Sequence, residues 1–119
     1  MRTLSLGVAA ALVLVASAAS AHPKLLSASP APGGSIAGSP REIRLSFSEA
    51  VYPRLSAVTL SNRAGAVVKT GRVNTAAGNS RQVVAPINAP LAPGRYHVAW
   101  RAVSTDTHHV QGQFDFTVK

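Results

Sequence analysis

The chain has 119 residues, with twelve Lys and Arg against four Asp and Glu, a formal charge of +8. It has no cysteine, so no disulfide staples it, and its only methionine is Met1. The basic residues are scattered singly with few aromatics among them, which excludes a phosphate-tracking nucleic-acid groove and leaves solubility and attraction to acidic partners as the meaning of the charge.

Residues 1–21 have the three parts of a secretory signal: a basic start at Arg2, an apolar run over residues 4–16, and the small residues Ala19-Ser20-Ala21 before the cut. The run is shorter than the roughly 20 residues that span a bilayer, so a cleaved signal is expected rather than an anchor. The expected mature protein is residues 22–119, exported to the periplasm, one small domain with one core and no stable membrane insertion. Cleavage removes Arg2 alone among the charged residues, leaving eleven basic against four acidic residues and a formal charge of +7.

After His22-Pro23, residues 24–29 can run extended until Pro30, Pro32, Gly33 and Gly34 turn the chain. Ile43, Leu45 and Phe47 then alternate with Glu42, Arg44, Ser46 and Ser48, the clearest strand pattern, with one face buried and the other wet. Residues 52–54 read as a connection. Residues 55–60 read as a strand ending at the turn Ser61-Asn62-Arg63-Ala64-Gly65, and 66–69 as a short strand pairing back across it. Residues 70–80 are polar and rich in Gly and Asn, and most of the stretch reads as loop. Residues 81–87 make a weaker strand, which Pro86 assigns to a sheet edge. After the turn-rich residues 88–94, Tyr96, Val98, Trp100 and Ala102 alternate with His97, Ala99 and Arg101, and Trp100 is the expected largest core residue. Residues 104–112 interrupt the pattern before Phe114, Phe116 and Val118 form a last strand. No long segment has a helical apolar stripe. About seven short strands separated by Gly/Pro turns predict an all-β fold, a small antiparallel Greek-key barrel or immunoglobulin-like sandwich.

Two stretches carry candidate chemistry. Cleavage after Ala21 makes His22 the first residue, and its free α-amine and Nδ1 can then grip a metal together in a six-membered chelate ring. Both groups must be deprotonated to bind, which is feasible near neutral pH because free amines and imidazoles have reference values of about 7.7–8.0 and about 6.5. Against this stands the ordinary expectation that a terminus frays. Pro23 has no N–H, so successive backbone amides cannot complete a copper site and further ligands must come from elsewhere in the fold. The second stretch is Asp106-Thr107-His108-His109, where a carboxylate lies close to imidazoles. Residues two apart on extended backbone share a side, so Asp106 and His108 can converge while His109 faces away. A lone D-x-H triplet is most often a solvated loop. His97, mid-strand and opposite the apolar face, reads as a surface histidine rather than a ligand. Two nitrogens from His22, one from His108 and an oxygen from Asp106 suit tetragonal Cu(II). Zinc also accepts imidazole and carboxylate, and soft Cu(I) would want the sulfur that the mature chain lacks.

In their order and spacing, the start His22-Pro23-Lys24-Leu25-Leu26-Ser27-Ala28-Ser29-Pro30, the strand Leu45-Ser46-Phe47-Ser48-Glu49 and the closing set resemble the CopC/PcoC family of exported copper-resistance and copper-binding proteins. That closing set is Tyr96-His97-Val98-Ala99-Trp100-Arg101, Ser104-Thr105-Asp106-Thr107-His108, Gly112, Phe114 and Phe116. The resemblance implies the same Greek-key or immunoglobulin-like fold. It also implies Cu(II) held by His22, Asp106 and His108, with Glu49 beside the copper orienting the N-terminal group. It further implies a non-enzymatic protein that sequesters copper, confers resistance, or delivers copper to a CopD-type inner-membrane importer. The methionine-rich loop of some members has no counterpart, so a single-site, Cu(II)-only member is expected.

Three positions depart from the family pattern: Pro23 after the terminal His, Ala50 where proline often follows the glutamate, and Thr107 where a small residue, commonly glycine, is usual. A β-branched Thr resists positive φ, so a reshaped loop with His109 in place of His108 is the alternative ligand assignment. Two other functions compete. One is a copper oxidative enzyme, since an N-terminal His chelate plus a second His is also the arrangement of lytic polysaccharide monooxygenases. The other is a metal-free adhesion or interaction module, should the mature terminus not be His22.

Overall fold

The computed structural model describes residues 22–119; the expected signal, residues 1–21, lies outside the described residues. Alternating apolar and polar positions build the strands β1 (Leu25–Ser29), β2 (Ser35–Ile36), β3 (Glu42–Phe47), β4 (Ala57–Asn62), β5 (Val67–Val68), β6 (Asn74–Ala76), β7 (Asn79–Pro86), β8 (Gly94–Val103) and β9 (His109–Val118). They form two sheets, one in the order β1-β3-β7-β6 and the other β2-β9-β8-β4-β5. Every strand pair is antiparallel except β2 with β9. The predicted all-β sandwich is therefore the fold. Among the described residues, no helix is long and apolar enough to cross a membrane.

The core lies between the sheets. Ile43, Leu45 and Phe47 of β3 and Val83 and Ala85 of β7 face Val58 and Leu60 of β4, Tyr96, Val98 and Ala102 of β8, and Phe116 and Val118 of β9. Full burial of each larger apolar side chain contributes about 1.5–3 kcal/mol. With no disulfide available, this packing is what holds the domain together.

Several expectations are corrected. The predicted loop 70–80 contains β6 and the first residues of β7, joined through Gly78 at φ 73°. Among the described residues, nine strands replace about seven because β2 and β6, two and three residues long, are too short to show a period. β7 is an inner strand, paired with β3 on one side and β6 on the other. Its Pro86 is tolerated because it is the last residue of the strand, and its carbonyl still accepts the Gly71 N–H at 2.7 Å. Leu55 belongs to a 3-10 turn, Pro53–Leu55, that precedes β4. Trp100 is half-buried, edge-on to Phe47 with ring centroids 5.3 Å apart, and Phe116 is among the largest fully buried side chains instead.

The hairpin β8–β9 positions the candidate residues. Its pairing is unbroken from Gly94–Val118 to Val103–His109, which leaves residues 104–108 as the loop at its tip.

Candidate metal centre

The chain after β3 crosses this end of the sandwich and is tied on both sides. The Ser48 N–H donates to the Lys24 carbonyl and the Lys24 N–H to the Ser48 hydroxyl oxygen, both at 2.8 Å. Pro23 is buried. The segment directly after His22 is thus clamped to the fold instead of frayed. On the other side, the Thr105 N–H donates to the Ala50 carbonyl at 3.0 Å and the Tyr52 N–H to the Val103 carbonyl at 2.8 Å, while Val51 bridges to Ser104. Glu49 sits between these two clamps, half-buried, with no hydrogen bond or ion pair to its side chain among the described residues.

The loop is organised by Ser104, a fully buried polar residue. Its N–H donates to the His108 carbonyl at 2.9 Å, and its own carbonyl accepts the Thr107 N–H at 2.8 Å. Its hydroxyl donates to Oδ1 of Asp106 and accepts the His108 N–H at 3.1 Å. Thr107 has φ 71°, the one positive value outside glycine among the described residues, and its hydroxyl donates to the Asp106 carbonyl at 2.6 Å. The expectation that a β-branched residue would refuse this conformation is overturned: the Ser104 hydrogen bonds on both sides of Thr107 over-determine the turn.

This backbone brings three of the predicted residues together in two contacts. The rings of His22 and His108 meet edge-on, centroids 5.0 Å apart. Nδ1 of His108 lies 3.1 Å from Oδ1 of Asp106. That separation is within ion-pair range but lacks hydrogen-bond alignment, and Nδ1 is buried with no hydrogen-bond partner. Apart from this contact the buried nitrogen has no partner, and a nitrogen and a carboxylate oxygen side by side are donors that one metal ion could share. His22 is within reach of that position through His108 alone; among the described residues no three His, Asp or Glu side chains already converge as a group.

The Asp106 carboxyl is held below the usual carboxylate range. The Ser104 hydrogen bond is the largest cause and the neighbouring His108 ring acts in the same direction, against partial desolvation. The carboxylate is therefore in its ligating form well below neutral pH.

His109 is placed elsewhere. It pairs with Val103 as the first residue of β9 and lines a surface recess of about 510 Å³ with Arg54, Leu55, Arg101 and Gln111. His97 is occupied as expected for a surface histidine: Nδ1 contacts Oδ1 of Asp115 at 2.5 Å and Nε2 lies 3.1 Å from the Gln113 side chain. Sequence reasoning gave no role to Ser104. Its only signal was a small polar residue closing an apolar strand immediately before the D-x-H triplet.

A two-sheet β-sandwich with a histidine ahead of its first strand, packed against a D-x-H loop at the tip of its last hairpin, defines the class: a small all-β domain. The CopC domain profile matches residues 25–119, and the chain belongs to the CopC family. It is 37% identical over 123 residues to Copper resistance protein C of Pseudomonas syringae pv. tomato, covering 99% of this chain and 97% of that one. The crystal structure of CopC from Methylosinus trichosporium OB3b superposes with a TM-score of 0.77 at 33% identity, over 82% of this chain and 94% of that one. PcoC from Escherichia coli, a methionine-rich copper resistance protein, superposes with a TM-score of 0.74 at 35% identity, over 83% of this chain and all of its own.

Proposed function

We propose that this protein is an exported, periplasmic Cu(II) binder acting in copper resistance, with one site built from the α-amine and imidazole of His22, the imidazole of His108 and the carboxylate of Asp106. The observation that carries this reading is the buried Nδ1 of His108, whose one close polar neighbour among the described residues is the Asp106 carboxylate at 3.1 Å, beside the His22 ring. The copper-resistance names of its relatives favour copper as the cargo. The oxidation state follows from the donors: three nitrogens and an oxygen suit Cu(II), and the only methionine is Met1, in the segment assigned to the signal.

Cleavage before His22 supplies the amine and frees the residue to turn about its terminal bonds, so that amine and ring can close on an ion already held by His108 and Asp106. Pro23, buried and without an N–H, keeps the terminus from wrapping the ion with backbone amides. Glu49, between the two clamps, is suited to accept a hydrogen bond from the bound terminus. Binding without catalysis, and handover to a CopD-type membrane protein, complete the proposed role. Titration of the chain beginning at His22 with Cu(II), followed by electron paramagnetic resonance, tests it. One ion per chain with nitrogen hyperfine structure is expected, and no stoichiometric binding would contradict it.

A further inference from the structure

We infer that Ser104 is the positioning residue of the metal site: one buried hydroxyl sets the spacing between Asp106 and His108 before any ion arrives. The inference rests on the copper reading above and deepens it. Ser104 is 0% exposed, and both ends of its hydroxyl are used inside the loop, as donor to the Asp106 carboxylate and as acceptor from the His108 N–H. Its backbone makes separate hydrogen bonds, to His108 and from Thr107, and bridges to Val51. The backbone thus closes the turn with bonds of its own, and the hydroxyl adds a tie on each side of Thr107, one of which reaches the Asp106 carboxylate. Asp106 is an exposed side chain that would otherwise sample several rotamers in water; the hydroxyl pins one of its oxygens near Nδ1 of His108. A ligand pair held in place loses little conformational freedom on binding, which strengthens capture without adding a contact to the ion. Alanine at this position would leave the carboxylate loose and the His108 N–H without its side-chain acceptor.

The test uses the chain beginning at His22 and Cu(II) itself. Ser104→Ala is expected to keep the β-sheet circular dichroism spectrum and the one-to-one stoichiometry. Its affinity, read by competition with a calibrated chelator, is expected to fall about 10–100-fold, the usual effect of removing a group that orients a metal ligand. The Cu(II) paramagnetic resonance parameters should shift at the same time, a change that mere loss of stability would not produce. Ser104→Thr, which keeps the hydroxyl, should retain the original spectrum even if the added methyl lowers the melting temperature. Introduced beside Asp106→Ala, the Ser104→Ala change should cost much less, because half of what the hydroxyl holds is gone. An affinity within twofold of the unsubstituted chain together with an unchanged spectrum overturns the role of Ser104 and leaves the copper reading intact. Failure of the unsubstituted chain to bind one Cu(II) overturns both.

Discussion

The imidazole of His22 meets the imidazole of His108 edge-on, with centroids 5.0 Å apart and planes at 76°. Residues near opposite ends of the domain meet because Lys24 is clamped to Ser48 and Thr105 to Ala50, so one short crossing segment holds both ends of the site. His109, one residue along, faces a different recess. His108→Ala is therefore expected to abolish tight Cu(II) binding, and His109→Ala to leave affinity within a few-fold of the unsubstituted chain. Calorimetric titration of the two variants checks this; the opposite ranking would move the site to His109.

Thr107 stores strain. A β-branched residue at φ 71° costs on the order of 1–3 kcal/mol, and glycine removes most of it. The lost hydroxyl contact to the Asp106 carbonyl is exposed and offsets only part of the gain. Thr107→Gly should raise stability by about 1 kcal/mol, a rise of about 4–8 °C in the melting temperature of a domain this size. A melting temperature that falls would show that Thr107 sits in the turn without strain.

Gly112 is required by close approach. A Cβ there would lie 2.5 Å from Cζ2 and 2.8 Å from Cε2 of Trp100, whose ring is also packed against Phe47 and cannot simply swing aside. Gly112→Ala should destabilise the protein by about 1–3 kcal/mol in urea unfolding, with little change once Trp100 is replaced by Phe. An unaltered urea midpoint in the Trp100 background would mean that the ring has room to move.

How legible these features were in the sequence depends on the residue. The alternation of Ile43, Leu45 and Phe47, and of Tyr96, Val98 and Ala102, is a direct consequence of one-sided burial, so the strands and the sandwich could be read from it. β2 and β6 could not, since two or three residues form a strand only through the neighbour they pair with. Pro86 pointed to an edge because its missing N–H matters mid-strand, whereas its place at the end of β7 is set by tertiary context. His22, Asp106 and His108 stood out by residue type. Ser104 did not, because its importance lies in burial and in two hydrogen bonds that spacing cannot reveal.

Acid should act on the outer face of β8 and β9 as well. The Asp115 carboxyl is held below its usual value of about 3.8, chiefly by its hydrogen bond from His97, with Arg95 assisting and partial desolvation opposing. A carboxyl with a lowered folded value contributes stability that is fully present above the unfolded value and is lost as pH falls through the folded one. Stability of the metal-free protein should thus decline below about pH 4. The decline should be shallower in His97→Ala, which removes the main cause. Melting temperatures of both proteins between pH 2 and 6 would reveal it, and parallel curves would mean that Asp115 gains nothing from His97.

The reading of His22 as a ligand created by cleavage is tested most directly by measuring Cu(II) affinity for two chains side by side, one beginning at His22 and one retaining Ala21. The expected result is tight one-to-one binding by the first, and binding weaker by about two orders of magnitude or more by the second, which lacks the amine and its chelate ring. Equal affinities would contradict it and remove the terminus from the site.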